Sequence, residues 1–230
     1  MKTTGGSEAA KRRAGEHAAD LVADDTTVGL GTGSTAGHAI RALGRAVDAG
    51  LDVRGVATSY ASRRLARDVG VPLVSLEDVD RVDLAIDGAD RVADGDLIKG
   101  GGAAHAREKV VAAAADRFVV VVDPSKLAGT LDRAVPVEVL PDARALVQRR
   151  VREAGGDPTL RTADRKDGPV VTDNGNLVLD CEFGEVREPA GLAADLSATP
   201  GVVEHGLFVG MADEIHVGRE DGVDVLSPVE

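Results

Sequence analysis

Between Asp87 and Glu108 the chain concentrates side chains that can move a proton on a small anionic carbon skeleton. Asp87 and Asp90 are the first and last residues of the sequence Asp-Gly-Ala-Asp, and Lys99 is followed by a run of three glycines. A carboxylate such as Glu108 can accept a proton, an ammonium can stabilise a developing negative oxygen, and glycines let the backbone approach a ligand. Taken alone, the same stretch would also suit a charged surface loop.

A second glycine-rich element, Gly29-Leu-Gly-Thr-Gly-Ser-Thr35, favours the chemical interpretation. It follows a short apolar stretch and precedes a helix predicted over residues 35–48. Backbone N–H groups at the start of such a helix bind phosphate with the help of the helix dipole, and glycines leave the approach open. The hydroxyl groups of Thr32, Ser34 and Thr35 add donors, although Ser34 or Thr35 could instead serve only to cap the helix.

A dinucleotide site is the main rival interpretation of this loop, because Gly31-Thr-Gly-Ser-Thr-Ala36 fits G-x-G-x-x-A. Such a site needs an acidic residue at the end of the second strand, where it holds the ribose hydroxyls. Asp52 has the right spacing but precedes the strand predicted at 53–57, which ends in the hydroxyl-rich Thr58-Ser-Tyr-Ala-Ser62. A compact phosphorylated ligand therefore fits better. The loop also lacks the lysine of a P-loop, which argues against hydrolysis of a nucleoside triphosphate.

The composition narrows the classes of protein further. The net charge of −12 argues against nucleic acid or an anionic membrane as a partner. The chain has one cysteine, no apolar run long enough to span a bilayer and no signal-peptide-like start, so we expect a cytoplasmic protein. Asp outnumbers Glu by 26 to 13 and Arg outnumbers Lys by 21 to 6. This bias is typical of proteins from salt-loving cytoplasms, although a G+C-rich genome would also favour Arg over Lys.

Strand and helix signals alternate through the first half of the chain. Near-continuous apolar strands at 82–86 and 118–122 are separated by helical stretches, which predicts a parallel sheet covered on both faces. The pattern changes near residue 130, after which a strand, a helix, a hairpin and a further helix follow. The strand predicted at 134–140 contains Pro136, which suggests an edge position. The second half therefore has an α+β pattern.

Taken together, these motifs resemble the type A ribose-5-phosphate isomerases. The matching segments follow the family's order over nearly the whole chain: Gly31-Thr-Gly-Ser-Thr35, Thr58-Ser-Tyr-Ala-Ser62, Asp87-Gly-Ala-Asp90, Lys99-Gly-Gly-Gly-Ala-Ala104, Arg107-Glu-Lys109, Asp123-Pro-Ser-Lys126, Val171-Thr-Asp-Asn-Gly-Asn176, Pro200-Gly-Val-Val203 and Gly206-Leu-Phe208. Single pieces are weak signals, but the ordered set is specific. The resemblance implies an α/β fold, with a Rossmann-like parallel sheet domain over residues 1–129 and 207–230 and a smaller inserted α+β domain over 130–206.

The resemblance also implies an activity, the interconversion of D-ribose 5-phosphate and D-ribulose 5-phosphate through an enediolate in the non-oxidative pentose phosphate pathway. Glu108 would be the general base, while Asp87, Asp90 and Lys99 would bind the sugar hydroxyls, assist ring opening and stabilise the enediolate. The phosphate would be held by Thr32, Ser34, Thr35, Lys126 and Lys11, and Gly33, Gly100 and Gly101 would also bind the substrate. Members of the family use neither a metal nor an organic cofactor, and they are commonly homodimers or homotetramers.

Two residues depart from the family pattern. Arg91 stands where an acidic residue usually follows Asp-Gly-Ala-Asp, and Tyr60 is an uncommon residue in the second loop. Two other functions stay open on the same fold, namely another reaction of a sugar phosphate and a non-catalytic sensor of sugar phosphates. A sensor should have lost the base or gained a DNA-binding extension, whereas Glu108 is present and the helix predicted over 8–23 belongs to the domain.

Overall fold

In a computed structural model, which describes residues 6–165 and 167–228, the chain forms two compact units. Among these residues the larger unit contains 6–89, 107–127 and 210–228, and the smaller unit contains 90–106 and 128–209. The resemblance led us to expect residues 90–106 in the larger domain. They group with the smaller unit because the two short strands in this segment pair with each other and with residues 207–208.

The described residues form six α-helices and thirteen strands. The helices are α1 (Glu8–Ala19), α2 (Ser34–Asp48), α3 (Tyr60–Asp68), α4 (His105–Ala113), α5 (Arg144–Glu153) and α6 (Pro189–Ser197). The strands are β1 (Thr26–Leu30), β2 (Val53–Ala57), β3 (Leu84–Asp87), β4 (Arg91–Ala93), β5 (Asp96–Ile98), β6 (Phe118–Val122), β7 (Val135–Val139), β8 (Asp157–Leu160), β9 (Leu177–Glu182), β10 (Val202–His205), β11 (Leu207–Phe208), β12 (Glu214–Gly218) and β13 (Val223–Leu226). None of the helices described is long and apolar enough to cross a membrane.

The larger unit is built on a six-stranded sheet with the strand order β13-β12-β6-β3-β1-β2. Neighbouring strands are parallel, except that β13 pairs with β12 in the antiparallel direction. Strand β6 is buried along its whole length, as expected for a strand covered on both faces. Side chains of α1, α2 and α3, among them Ala14, Ile40 and Ala66, share one apolar core with the central strands. The predicted α/β fold with a parallel sheet is confirmed.

The smaller unit contains a four-stranded sheet, β10-β7-β9-β8, and a three-stranded sheet, β11-β5-β4, and all pairings in both sheets are antiparallel. Side chains alternate between the two faces of a strand. Val135 and Val137 of β7 face an apolar core to which α5 and α6 also contribute. The residues between and beside them, Pro136 and Glu138, lie on the opposite face, as does Asp180 of β9. One face of this sheet is therefore apolar and the other carries polar groups.

The edge position predicted for the strand with Pro136 is wrong. Strand β7 lies inside the four-stranded sheet, between β10 and β9. A proline has no N–H to donate to a neighbouring strand. An interior strand therefore tolerates it only where no carbonyl group of that neighbour needs a hydrogen bond from this position. Here β10 ends at His205, opposite Val137, and Pro136 only accepts a hydrogen bond, from the N–H of Gly206 (2.7 Å). The end of the neighbouring strand thus removes the need for an N–H at this position.

Candidate functional site

The predicted site residues of the larger unit lie at one edge of its parallel sheet. Strands β6, β3, β1 and β2 are neighbours and run in the same direction, so their carboxyl ends meet at this edge. The segments at these ends are residues 31–35, 58–59, 87–88 and 123–126, of which Asp87 is the last residue of β3. The chain passes from β1 to β2 on one side and returns to β3 on the other, which opens a crevice between the loops after β1 and β3. Open α/β sheets bind ligands at such a point.

Asp87 is fixed by the backbone of the glycine loop. Its Oδ1 accepts hydrogen bonds from the N–H groups of Thr32 (2.9 Å) and Gly88 (2.7 Å), and only 3% of the residue is exposed. Gly31 allows this approach, because a Cβ at that position would lie 2.2 Å from Asp87 Oδ1 and 2.6 Å from Asp87 Cα. The N–H of Gly31 donates to the carbonyl of Ile86 (2.9 Å). The two predicted motifs therefore meet at the crevice.

The first turn of α2 presents backbone N–H groups to an open space. Its N-cap is Gly33, with a φ of +120°, and no side chain of the described residues caps it. The alternative in which Ser34 or Thr35 serves only as a cap is therefore wrong. A Cβ on Gly33 would meet nothing within 4 Å, Ser34 is exposed, and Thr35 is buried. Uncapped N–H groups at the positive end of a helix dipole, with an open approach, suit a phosphate.

The loop after β2 holds the hydroxyl group of Thr32 in place. Thr32 Oγ1 lies 2.9 Å from Thr58 Oγ1 and donates to Ser59 Oγ at 2.7 Å. Thr58 Oγ1 also donates to the carbonyl of Leu30 at 3.0 Å, and Ser59 is the N-cap of α3, where it forms a capping box with Ser62. The hydroxyl-rich second loop thus orients the first one, and two motifs that are separate in the sequence are in contact.

The two lysines predicted to bind phosphate also belong to the larger unit. Lys126 ends a short 3-10 helix (Pro124–Lys126) after β6 and is 8% exposed. The side chain of Asp123 caps this helix and packs against Gly6, where a Cβ would lie 2.2 Å from Asp123 Oδ1. Gly6 directly precedes Ser7, the N-cap of α1, and Lys11 lies in that helix. The contact between Gly6 and Asp123 therefore brings the start of α1 next to the segment that carries Lys126.

Glu108 lies in the first turn of α4. This helix precedes β6, and β3 and β6 are parallel neighbours, so it returns the chain from the carboxyl ends of the strands to their amino ends. Its first turn therefore lies on the side of the carboxyl edge. Val111, one turn further on the same helix face, packs against β1, where a Cβ on Gly29 would lie 2.6 Å from Val111 Cγ1. Glu108 itself is 6% exposed, so its carboxylate is largely withdrawn from water.

The smaller unit contains Asp90 and the glycines that follow Lys99. Asp90 Oδ2 accepts a hydrogen bond from the N–H of Gly101 (2.7 Å). Gly100 has a φ of +103°, a conformation that glycine adopts without steric strain. Its carbonyl oxygen accepts a hydrogen bond from Arg161 Nη1 (2.8 Å). No signal in the sequence predicted Arg161, because it is far from the loop along the chain and belongs to none of the recognised motifs.

Lys99 is buried in the smaller unit, with 2% of the residue exposed. Its N–H donates to the carbonyl of Gly206 (2.8 Å), and a Cβ on Gly206 would lie 2.2 Å from the carbonyl oxygen of Lys99. Its Nζ lies 5.3 Å from the centre of the Phe208 ring, a distance at which the ring attracts a cation. The segment Gly206-Leu-Phe208 is thus part of the surroundings of the lysine.

Comparison with known proteins identifies the family. A sequence model of the family described as ribose 5-phosphate isomerase A (phosphoriboisomerase A) matches residues 54–222. The chain belongs to this family. Ribose-5-phosphate isomerase A from Haloarcula marismortui is 72% identical over 221 residues, which cover 96% of this chain and 96% of that protein.

Solved structures of the family have the same fold. Ribose 5-phosphate isomerase A from Methanocaldococcus jannaschii is 43% identical and matches with a TM-score of 0.91 over 95% of this chain and 98% of that chain. A D-ribose-5-phosphate isomerase in complex with phospho-erythronic acid is 39% identical and matches with a TM-score of 0.92 over 95% of this chain and 97% of that one. The predicted family and the predicted α/β fold are therefore confirmed.

The two departures from the family pattern have identifiable partners in the structure. Arg91 of the smaller unit forms an ion pair with Asp132, with 2.6 Å between Nε and Oδ1. Tyr60 of the larger unit is exposed, and its ring lies 6.0 Å from the guanidinium of Arg63 and 5.5 Å from that of Arg107. Arg91 and Tyr60 thus each contact charged side chains of their own unit.

A hydrogen-bonded group around His216 on β12 shifts the pKa values of two of its members. His216 Nδ1 lies 3.0 Å from His17 Nδ1, and His216 Nε2 lies 2.9 Å from Glu214 Oε2. The other carboxylate oxygen of Glu214 accepts a hydrogen bond from Arg117. Burial lowers the pKa of His216, and the hydrogen bond with His216 lowers the pKa of Glu214. This group links α1 to the sheet of the larger unit.

No group of three or more His, Cys, Asp or Glu side chains is arranged to hold a metal ion within residues 6–165 and 167–228. Cys181 lies in the core of the smaller unit, where burial raises the pKa of its thiol to about 12. Since the thiolate is the reactive form, this cysteine behaves as a small apolar side chain.

Proposed function

We propose that this chain interconverts D-ribose 5-phosphate and D-ribulose 5-phosphate in the non-oxidative pentose phosphate pathway. The observation that carries the proposal is the carboxyl edge of the larger unit. At this edge the N-terminus of α2 is open to a phosphate, and the buried carboxylate of Glu108 lies in the first turn of α4, on the side of the same edge. Membership of the family supports the same substrate pair, because the relatives that share most of this chain are ribose-5-phosphate isomerases.

The phosphate group of the substrate binds at the first turn of α2. The N–H groups of that turn and the hydroxyl groups of Ser34 and Thr35 donate to its oxygens, and Lys126 and Lys11 supply positive charge. The hydroxyl group of Thr32 joins these donors when it turns from Ser59 to the phosphate. Phosphate binding far from the reacting carbons provides free energy that orients them. Gly33 keeps the approach clear, since it has no side chain in the open space before the helix.

Glu108 carries the proton between the two reacting carbons. It takes the proton from C2 of the open-chain aldose, and the electron pair moves through the C1–C2 bond onto O1 to form an enediolate. The same carboxyl group then returns the proton to C1, while the hydroxyl proton of O2 passes to O1, so that O2 becomes the carbonyl oxygen of the ketose and O1 becomes a hydroxyl group. A proton next to a carbonyl is weakly acidic, so the enediolate must be stabilised by charge that is already in place.

Lys99, Asp87 and Asp90 have the chemistry that this stabilisation and the preceding ring opening require. The ammonium of Lys99 stabilises the negative oxygen, and Gly100 and Gly101 let the backbone approach the substrate. The carboxylates of Asp87 and Asp90 accept hydrogen bonds from the sugar hydroxyls, and a carboxyl group can move the proton that opens the ring. Hydrogen bonds from backbone N–H groups already fix one oxygen of each aspartate.

The relative in complex with phospho-erythronic acid suggests a probe for the same site. This compound has a phosphate at one end and a carboxylate at the other, and the carboxylate resembles the charge of an enediolate. We expect it to inhibit this protein in competition with ribose 5-phosphate. Inhibition that is not competitive would contradict a shared site for the two compounds.

The test is the conversion of ribose 5-phosphate to ribulose 5-phosphate by the purified protein in EDTA, beside the variants Glu108→Gln and Glu153→Gln. Glutamine cannot accept the proton, so we expect Glu108→Gln to lower kcat by about 10²–10⁴-fold. Glu153 is an exposed glutamate on α5 that pairs with arginines of the same helix, so its variant should keep full activity. A folded wild-type protein without activity would refute the proposed function, and an active Glu108→Gln would refute the role of Glu108.

We also propose that the protein works in a salt-rich cytoplasm as a homodimer or homotetramer, without nucleic acid or membrane partners. The acidic, lysine-poor composition and the relative from Haloarcula marismortui support the salt-rich setting, and the family resemblance supports the oligomer. Light scattering measures the oligomeric state, and activity and thermal unfolding at high and low KCl measure the need for salt. A monomer that is equally active and stable in both solutions would contradict them.

A further inference from the structure

The side chain of Arg161 has partners that its place in the sheet of the smaller unit does not require. The backbone continues the ladder beyond β8: its N–H donates to the carbonyl of Val178 (2.9 Å), and its carbonyl accepts from the N–H of Val170 (2.9 Å). The side chain is only 11% exposed. A charge that is shielded from water is unfavourable unless it is paired and hydrogen-bonded, so the partners of the guanidinium indicate its role.

Asp180 holds the guanidinium in one plane. The register of β8 and β9 places Thr159 opposite Asp180, so Arg161, two residues further on, lies on the same face of the sheet. Arg161 Nε donates to Asp180 Oδ2 at 2.8 Å, and Nη2 donates to Oδ1. Two parallel bonds between an arginine and a carboxylate fix the direction of the guanidinium as well as its position.

The remaining nitrogen of Arg161 reaches the glycine loop. Nη1 donates to the carbonyl oxygen of Gly100 at 2.8 Å and lies 3.4 Å from that of Gly101. The N–H of Gly101 donates to Asp90 Oδ2 at 2.7 Å. The carbonyl of Gly100 and the N–H of Gly101 belong to one planar peptide group and point in opposite directions. Arg161 and Asp90 therefore hold this peptide group from its two sides.

A loop of three consecutive glycines needs such restraints from outside. Glycine has no Cβ and loses more conformational freedom on folding than any other residue, so the sequence of this loop selects no single backbone conformation. Gly100 adopts a φ of +103° directly after Lys99. A change in the Gly100–Gly101 peptide would move the backbone of Lys99 on one side and release the carboxylate of Asp90 on the other.

We propose that Arg161, oriented by Asp180, is a positioning residue that fixes the Gly100–Gly101 peptide and through it Lys99 and Asp90. The inference rests on the proposed function, because Lys99 and Asp90 are the groups assigned there to the sugar and the enediolate. Arg161 acts on the step in which the proton moves and leaves phosphate binding unchanged, since the phosphate-binding residues belong to the larger unit. Lysine cannot replace it, because one ammonium lacks the fork that engages a carboxylate and a carbonyl together.

The test compares Arg161→Lys and Asp180→Asn with wild type in kcat and KM for ribose 5-phosphate, in competitive inhibition by inorganic phosphate and in thermal unfolding. A misplacement of about 1 Å in a supporting residue can lower the rate about 10²-fold, so we expect a loss of this size in kcat for Arg161→Lys. Asp180→Asn should lose less, because Arg161 keeps its bond to the loop. The inhibition constant of phosphate should stay within a factor of about two if phosphate binding is unchanged.

Arg149→Lys serves as the matched control, because Arg149 is an exposed arginine that pairs with Glu153 on α5. We expect it to keep wild-type kcat. Guanidinium ion added to Arg161→Ala should restore part of the lost kcat, but it should restore nothing to Glu108→Gln.

Two outcomes would overturn the positioning role of Arg161. One is a folded Arg161→Lys with wild-type kcat, and the other is a parallel loss of activity, phosphate affinity and thermal stability without rescue. A wild-type protein that is inactive on ribose 5-phosphate would instead refute the proposed function itself.

Discussion

The two glycine loops of the molecule are held in different ways. The loop at 31–35 in the larger unit follows β1 and opens α2, so the strand before it and the helix after it determine its course. The loop at 99–101 in the smaller unit is held by side chains, with Arg161 on one side of a peptide group and Asp90 on the other. The course of the first loop follows from the elements on either side of it, to which the side chains of Asp87 and Ser59 add contacts with Thr32, whereas the second loop depends on a residue about 60 positions away.

The largest effect is expected from Gly31→Ala, which tests the local arrangement. The new Cβ would lie 2.6 Å from the backbone of Asp87, which cannot move without shifting β3. We expect a loss of about 1–3 kcal/mol in unfolding free energy from overpacking. Activity should fall by more than about 100-fold, because the loop and Asp87 separate. Urea unfolding and kcat measure the two effects, and Gly222→Ala, with open space around it, is the control.

Gly101→Ala should separate the two kinds of loop. Its Cβ would lie 2.8 Å from Asp90 Oδ1, the mobile end of a side chain, so Asp90 can turn away without a change in the fold. We expect a roughly tenfold loss of kcat with an unfolding free energy within about 0.5 kcal/mol of wild type. A destabilisation as large as that of Gly31→Ala would mean that the two loops are held alike.

Glu138→Ala tests the other polar cluster of the smaller sheet. Oε1 of the buried Glu138 accepts hydrogen bonds from Thr172 Oγ1 (2.9 Å), Asn174 Nδ2 (3.0 Å) and Asn176 Nδ2 (2.8 Å). Its removal leaves the buried hydroxyl group of Thr172 without this acceptor, so we expect a loss of about 1–3 kcal/mol in stability. Glu138→Gln keeps an acceptor oxygen and should lose less. If either folded variant also lost kcat as Arg161→Lys does, the distinction between a supporting cluster and a positioning residue would fail.

The smallest effect is a dependence of stability on pH that arises in the larger unit. Burial lowers the pKa of His216, so the unfolded chain binds its proton more readily than the folded chain. The stability is therefore complete above the unfolded pKa of about 6.5 and decreases as the pH falls below it, by at most about 1.4 kcal/mol per pH unit for one proton. The lowered pKa of Glu214 adds a loss in the same direction below its usual pKa of 4.5.

Urea unfolding at a series of pH values between 7.5 and 5 measures this dependence, with pH values chosen around about 6.5. His216→Gln should flatten the slope, because His17, Glu214 and Arg117 then face a side chain that does not titrate. An unchanged slope in this variant would assign the dependence to other groups.

The difference between the loops also explains how much the sequence could predict. Gly31 and Thr32 could be identified because a strand, a glycine turn and a helix form a local pattern with a known use, and Asp87 because it begins the motif Asp-Gly-Ala-Asp. The fork of Arg161 and Asp180 could not, because it depends on the register of β8 and β9, which no turn or charge pattern near either residue reveals. The edge position predicted from Pro136 was wrong for a related reason, because the sequence of β7 does not show where the neighbouring strand β10 ends.

The grouping of residues 90–106 with the smaller unit was missed on the same grounds. The dipeptide Asp94-Gly95 is typical of the tight turn between β4 and β5, but β11, with which β5 pairs, lies more than a hundred residues further along the chain. Sequence patterns identify short elements well and say little about which distant element will pair with them.

The route of the chain has a consequence for biosynthesis. The apolar strand β6 lies inside the sheet of the larger unit, between β3 and β12, yet β12 is made only after the second part of the smaller unit, residues 128–209. During synthesis β6 is therefore an uncovered edge of five apolar residues, which is a template for pairing with other chains. A ribosome that stops shortly before Glu214 would release a chain with this edge open. The synthesis of β12 and β13 thus covers the edge through which the nascent chain could aggregate.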